Sequence, residues 1–114
     1  MPVNIDAAIP IATPAAFDRW LAHHGSSERE AVLAIANKAS GRQTVTLTDL
    51  QEVALCHGWV DTQIKRIDAE RYAIRFVPRR DGSNWSATNR DMARRLLAAG
   101  RITPAGMAKL PPDL

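Results

Sequence analysis

The chain has 114 residues, a length typical of a single domain with a modest core. Hydrophobic residues make up 46% of it and charged residues 24%, which excludes a wholly disordered chain. No apolar run approaches the ~20 residues of a membrane-spanning helix, and no basic segment followed by an apolar one indicates a secretory leader. The single cysteine allows no internal disulfide. We therefore expect a cytoplasmic protein without membrane insertion.

Positive charge is concentrated in the second half of the chain. Residues 1–56 carry four basic and six acidic side chains, whereas residues 57–114 carry eleven and six. Twelve of the fifteen basic residues are arginine, whose planar guanidinium group matches carboxylate and phosphate groups. Such a half is suited to nucleic acid, to an anionic metabolite or to an acidic protein surface, and equally to a solvated face without a ligand.

The first elements are predicted by prolines and a helix cap. Residues 1–12 are apolar but interrupted by two prolines, which is typical of an extended lead-in or an edge strand. Thr13 and Pro14 then supply an N-cap hydroxyl and a proline at the first helical position. Apolar side chains follow at helical spacing until Gly25, which predicts an amphipathic first helix.

A strand and a second helix are predicted next. Residues 30–37 contain β-branched side chains that favour a strand, although their alanines also permit a helix. Thr48 and Gln51 have the spacing of a capping box, and Leu47 could pack ahead of them as a hydrophobic staple. The predicted second helix ends at Gly58, a natural residue for a left-handed helix end.

The spacing of the apolar residues then changes from a helical one to the alternation that is typical of a β-hairpin. Residues 64–77 predict two antiparallel strands with a polar corner at 68–70. The aromatic and aliphatic side chains that alternate along the second strand are expected in the core, with Arg75 on the opposite face. Pro78 ends the strand, and a polar loop follows at 79–84.

The last third of the chain predicts two more helices. Ser86 begins a third helix that Gly100 ends, and Asp91 and Arg95 are spaced for a surface ion pair. A Thr-Pro pair at 103–104 repeats the cap-plus-proline start for a short final helix. We expect an α+β domain in which a small antiparallel sheet of about three strands, including the hairpin, packs with about four helices.

Several ordered motifs carry a family resemblance. They read ALCHGWVD at 54–61, RFVPR at 75–79, SNWS at 83–86 and GRITPAG at 100–106. Through them the chain resembles the YdeI/OmpD-associated (bacteriocin-protection) family over roughly residues 14–107. The resemblance implies a bacterial accessory protein linked to envelope stress and to tolerance of cationic antimicrobial peptides or bacteriocins, with no assigned catalytic residues. It also implies one domain over 1–114 that lacks the C-terminal extension of longer relatives.

The residues themselves favour an anion-binding turn. Arg79 and Arg80 precede a loop that leads to the third helix, whose unpaired N–H groups attract negative charge. Asp61 could pair with Arg75 or Arg79 and hold the guanidinium group in place. The predicted ligand-binding set is Trp59, Asp61, Arg75, Arg79, Arg80, Ser83, Trp85, Ser86 and Asn89. The same residues also admit a structural interpretation, with an Asp61 ion pair, a Ser86 helix cap and both tryptophans in the core.

Two further chemistries have weak support. Cys56 beside His57 would sit at a helix C-terminus, where the dipole disfavours a thiolate, and neighbouring helical residues point apart. We expect an inert thiol there. The histidines lack the spacing of a known zinc site, so no metal or cofactor is expected.

Nucleic-acid binding is the alternative function, and an enzyme is the third. Arg90, Arg94 and Arg101 could extend Arg79 and Arg80 into a stripe that follows phosphates. No helix-turn-helix, zinc-finger or RNA-recognition signature accompanies them. No set of nucleophile, base and orienting residue can be assembled from the sequence.

Overall fold

The computed structural model describes residues 3–114, which form four α-helices and one four-stranded sheet. The helices are α1 (Pro14–His24), α2 (Leu47–Cys56), α3 (Ala87–Ala98) and α4 (Pro104–Met107). The strands are β1 (Ile9–Pro10), β2 (Ala31–Ala36), β3 (Trp59–Arg66) and β4 (Arg71–Pro78). Single turns of 3₁₀ helix lie at Ile5–Ala7 and Lys38–Ser40. Within residues 3–114, no helix combines the length and apolar character that crossing a bilayer requires.

The sheet is mixed, with the strand order β1-β2-β4-β3. β4 is antiparallel to both β2 and β3, which confirms the hairpin and the predicted strand at 30–37. β1 is parallel to β2, with Ile9 opposite Leu33 and Pro10 opposite Ala34. The α+β class is therefore confirmed, but the sheet has four strands of mixed direction instead of about three antiparallel ones. The predicted edge strand exists at β1, and residues 1–2 of that prediction lie outside the described part of the chain.

The helix starts follow their caps, with one correction. The Thr13 hydroxyl accepts a hydrogen bond from the Ala16 N–H at 3.1 Å, so α1 begins as predicted. The capping box of α2 is formed by Thr46 and Asp49, two residues before the predicted one at Thr48. Each side chain of that pair accepts from the other residue's N–H at 3.1 Å. An aspartate at the third helical position can thus replace the expected longer side chain.

The main core lies between one face of the sheet and the helices α1 and α2. Phe17 of α1 and Phe76 of β4 are fully buried, with ring centroids 4.9 Å apart. On the opposite face, Val3 packs with Val32 and Ala73. Since side chains alternate along a strand, Arg75 lies on this second face, as predicted.

The strand β3 begins at Trp59, five residues before the predicted start at 64. Its pairing with β4 shifts between Asp61 and Gln63, so that Thr62 is the extra residue of a β-bulge. Bulges bend a strand and redirect a side chain. Here the bulge lies on the strand that borders the candidate site.

Candidate anion-binding site

A cavity of about 900 Å³ lies over the second face of the hairpin, beside the loop that follows β4. Its floor contains Val60 of β3 and Val77 of β4, which are directly paired, together with Pro78. Five basic residues from three separate parts of the chain line it, namely Arg29, Arg75, Arg79, Arg80 and Lys109. Asp81 is its only lining carboxylate within residues 3–114.

Arg79 is the most unusual side chain of the cavity. It is only 6% exposed, and its guanidinium group forms no ion pair within residues 3–114. Its Nε is buried without a hydrogen-bond partner, while its Cζ lies 3.9 Å from the centroid of the Trp85 ring. Burial lowers the pKa of Arg79, and the charge of Asp61 opposes that shift. Arginine nevertheless keeps its proton at neutral pH, so the group is a buried cation.

The backbone holds Arg79 at this position. Its N–H donates a hydrogen bond of 2.8 Å to the carbonyl oxygen of Gly58, the residue that reverses the chain after α2. Gly58 has a φ of +79°, which an L side chain rarely adopts. The end of α2, the start of β3 and the end of β4 are thereby tied together at the edge of the cavity.

Ser83 supplies a second buried polar group without a partner. Its N–H donates to the carbonyl oxygen of Arg80 at 3.2 Å, which closes the turn, but its hydroxyl oxygen is buried and forms no hydrogen bond. Buried polar side-chain atoms nearly always have a partner in folded proteins. In the described part of the chain the two exceptions are the Nε of Arg79 and the hydroxyl of Ser83, and both residues line this cavity. An ordered water or a bound ligand is one way in which such atoms are satisfied.

Carboxylates compensate some of the cavity's positive charge. Arg75 Nε donates to Glu30 Oε2 at 2.9 Å, and its Nη1 donates to the Thr62 hydroxyl at 3.3 Å. Lys109 Nζ donates to Asp81 Oδ1 at 2.8 Å. Over residues 3–114, Arg29, Arg79 and Arg80 have no carboxylate partner. The cavity therefore retains a net positive charge that suits an anion.

Comparison with known families matches residues 9–109 to a family described as a domain of unknown function (DUF8412). The chain belongs to this family. No curated protein and no solved structure matches it. Since the description of the family names neither a ligand nor a reaction, the function of this DUF8412 domain has to be inferred from its site.

The structure brings together part of the predicted ligand-binding set. Arg75, Arg79, Arg80 and Ser83 line the cavity, and Trp85 lies against the guanidinium group of Arg79. Of the two tryptophans in the set, it is Trp85 whose ring lies against Arg79, although neither lines the cavity. These five residues come from the end of β4 and the loop that follows it, which the sequence placed next to each other.

Five residues of the predicted set do not line the cavity, namely Trp59, Asp61, Trp85, Ser86 and Asn89. Trp59 is 2% exposed and packs edge-on against Trp20 in the main core, as the structural interpretation expected. The Ser86 hydroxyl accepts from the Asn89 N–H at 3.1 Å and is used as the cap of α3. The start of that helix consequently contributes no free hydroxyl to the cavity.

The expected ion pair of Asp61 with Arg75 or Arg79 is absent from the described residues. Asp61 instead accepts a hydrogen bond from Gln51 Nε2 at 3.3 Å. Arg75 is occupied by Glu30, a residue just before β2 that no sequence spacing connects with it. The carboxylate of Asp61 acts on Arg79 only through its charge.

Sequence reasoning missed Arg29, Thr62 and Lys109 as cavity residues. Arg29 and Lys109 are far from the β4 loop in sequence, and they reach the cavity only because β2 neighbours β4 and α4 packs against the end of α2. Thr62 lies at the bulge, which no motif predicts. The positive charge of the second half of the chain was the one available signal, and it does not include Arg29.

The arginines of the alternative stripe are largely paired with carboxylates. Arg90 contacts Asp113 at 3.1 Å, Arg94 contacts Asp91 at 3.0 Å, and Arg101 lies 3.7 Å from Glu52. The predicted pair of Asp91 with Arg95 is wrong, because Arg95 contacts Glu52 at 2.6 Å. Arg95 on α3 and Arg101 after its end thus contact one carboxylate on α2, which sequence spacing along α3 alone could not indicate.

Cys56 is buried, and His57 contacts an aspartate. Burial raises the pKa of the Cys56 thiol, which keeps it protonated. His57 Nε2 lies 2.8 Å from Asp18 Oδ1 and so links the end of α2 to α1. Among residues 3–114, no group of three or more His, Cys, Asp or Glu side chains is placed to hold a metal ion.

Proposed function

We propose that this DUF8412 domain binds an anionic small molecule, or an acidic group of a protein partner, in the cavity beside Arg79, and that it does so without catalysing a reaction. Arg79 carries the proposal. A buried cation without a carboxylate destabilises a folded protein unless a counter-charge reaches it. An anion in the cavity would provide that counter-charge, and Arg29 and Arg80 at the same cavity would attract it.

The biological role that we propose is that of a bacterial, cytoplasmic accessory protein in stress or defence. It rests on the resemblance to the YdeI/OmpD-associated family, whose members are linked to tolerance of cationic peptides. Two of the motifs that carry the resemblance, at 75–79 and 83–86, contain Arg75, Arg79, Ser83 and Trp85. That the same short motifs also build the cavity supports a connection between the site and the role.

Thermal unfolding in the presence of anions tests the binding. We expect sulfate or phosphate to raise the unfolding midpoint above that in chloride at equal ionic strength, because a ligand that binds only the folded state stabilises it. Arg79→Ala should reduce this difference to the general stabilisation that sulfate and phosphate give any folded protein. Arg94→Ala, which removes an arginine that is paired with Asp91 on α3, is the matched control and should retain it.

Two results would contradict the proposal. Equal midpoints in sulfate and chloride for the wild-type protein would exclude a specific anion site. A loss of anion binding spread evenly over Arg79→Ala and Arg94→Ala, together with salt-sensitive binding of oligonucleotides, would support the nucleic-acid alternative instead.

A further inference from the structure

The cavity offers an apolar surface next to its positive charge. Val60 and Val77 face each other across the hairpin, and Pro78 extends this surface toward Arg79. All three are half-buried, so part of their hydrocarbon surface is open to the cavity. An inorganic ion bound to Arg79 would leave this surface in contact with water, whereas an organic body would cover it.

The size of the cavity also exceeds the needs of an inorganic ion. Its volume of about 900 Å³ is at the upper end of the range of roughly 300–1,000 Å³ in which proteins bind organic small molecules. A water molecule occupies about 30 Å³ of liquid, and a tetrahedral oxyanion only a few times that. Most of the cavity would remain filled with water if sulfate or phosphate were the natural ligand.

Different chemical groups line successive parts of the cavity, from the loop end to the strands. At the loop end, Arg79 stacks on Trp85, and Ser83 adds a hydroxyl without a partner. The valines lie on the adjoining strands, and the Thr62 hydroxyl follows at the bulge. An anionic group at the loop end would place the rest of its molecule over the valines.

We infer that the natural ligand is a small organic anion, with a carboxylate or phosphate group held at Arg79 and Ser83 and an apolar or aromatic body on Val60, Val77 and Pro78. The inference rests on the proposed function, since it names the class of ligand for the same cavity. Carboxylates and phosphate esters share the chemistry that the cavity recognises, and matched probes can separate them.

Isothermal titration with two pairs of probes at fixed ionic strength tests this ligand class. Phenyl phosphate is compared with inorganic phosphate, and benzoate with acetate, because the members of each pair share an anionic group and differ in the apolar body. We expect the aromatic member of at least one pair to bind about tenfold more tightly, which corresponds to roughly 55 Å² of hydrocarbon removed from water. The pair with the larger gain identifies the anionic group.

Variants then assign the two parts of the cavity. Val77→Thr keeps the shape of a β-branched side chain but adds a hydroxyl, and it should lower the aromatic preference several-fold. Ser83→Ala should weaken both members of a pair and leave their ratio unchanged. Because Ser83 lies in a loop and loses only one atom, this variant keeps the anion contact testable if Arg79→Ala does not fold.

The outcomes separate the inference from the proposal on which it rests. Equal affinities within both pairs would overturn the organic ligand while leaving an anion site in place. An aromatic preference that Val77→Thr does not change would overturn the assignment of the apolar floor. No binding of any of the four probes would overturn both the ligand class and the proposed function.

Discussion

The cavity and the surface around α3 both concentrate arginine, but only in the cavity does the charge lack partners. Around α3 each arginine contacts a carboxylate, and the four residues are Arg90, Arg94, Arg95 and Arg101. In the cavity, three arginines have no carboxylate partner within residues 3–114, namely Arg29, Arg79 and Arg80. The count of arginines in a segment therefore does not indicate a binding surface. The nearest carboxylate decides whether the charge is available.

Burial widens the difference between the two regions. Arg94 and Asp91 are both exposed, and pairs of this kind stabilise a helix by a few tenths of a kcal/mol at most. Arg79 has lost most of its contact with water and gains the face of Trp85 and the charge of Asp61, which forms no ion pair with it, in return. A cation–π contact of this type offsets about 1–2 kcal/mol of desolvation, which is less than the penalty for burying a full charge.

Alanine substitutions of two glycines, one in each region, should give the largest difference in the free energy of unfolding. A Cβ on Gly58 would lie 2.9 Å from Lys109 Cγ and 3.0 Å from the Ala105 carbonyl oxygen, and its φ is already +79°. Gly100, after α3, has a φ of +69° and open space around it. We expect Gly58→Ala to lower the free energy of unfolding by about 2–4 kcal/mol and Gly100→Ala by about 1 kcal/mol, as measured by urea denaturation.

Equal losses in the two glycine variants would contradict this expectation. They would show that α4 moves aside for a methyl group at no cost, and that only the left-handed backbone matters. The cavity would then not depend on the close approach of α4 to Gly58.

The second prediction concerns whether replacing an arginine raises or lowers the free energy of unfolding. Arg79→Met should raise the free energy of unfolding by about 1–2 kcal/mol in the absence of anions, because it removes a buried charge and keeps contact with Trp85. Arg95→Met, its control on α3, should lower it by up to about 1 kcal/mol through the loss of the Glu52 pair. Urea denaturation of both variants measures the two changes in the free energy of unfolding. A destabilised Arg79→Met would mean that Arg79 is already compensated without a ligand.

Local signals in the sequence predicted most of the helices and the hairpin. The cap at Thr13, the cap at Ser86 and the alternation along β4 depend on neighbouring residues, and the structure confirms each. The two-residue strand β1 is too short to produce a pattern of alternating residues, and its parallel pairing depends on the position of β2 in the fold. The bulge at Thr62 likewise depends on pairing with another strand.

The site was predictable only where it is continuous in sequence. Arg79, Ser83 and Trp85 follow one another along the loop, and the structure keeps them together. Arg29 and Lys109 join them from opposite ends of the chain through tertiary packing. The helix start at Ser86 looked like an anion site in sequence, but the Ser86 hydroxyl already accepts from one of its N–H groups, that of Asn89. Such competition within the chain is visible only in three dimensions.

The third prediction tests the compensation around α3. Glu52 is 18% exposed and contacts both Arg95 and Arg101. Glu52→Gln should lower the free energy of unfolding by about 0.5–1 kcal/mol, because two arginines lose their common carboxylate while an amide of similar size remains. Because these arginines are half-exposed, the variant should show the same sulfate-dependent rise in the unfolding midpoint as the wild-type protein. A larger rise than in the wild type would show that unpaired charge alone makes an anion site, without burial or a cavity.

The smallest expected effect concerns the cavity's own carboxylate. The hydrogen bond from Lys109 lowers the pKa of Asp81, so this side chain is negatively charged at neutral pH and competes with any anion for Lys109. Asp81→Asn should therefore strengthen sulfate binding by up to about threefold, with the small size set by solvent screening, since Asp81 is almost fully exposed. The gain should disappear at high salt.

Asp91→Asn is the control: it removes the partner of Arg94 on α3 and should leave sulfate affinity unchanged. If both variants strengthen binding equally, the anion responds to the net charge of the protein, and the distinction between the cavity and the α3 surface fails.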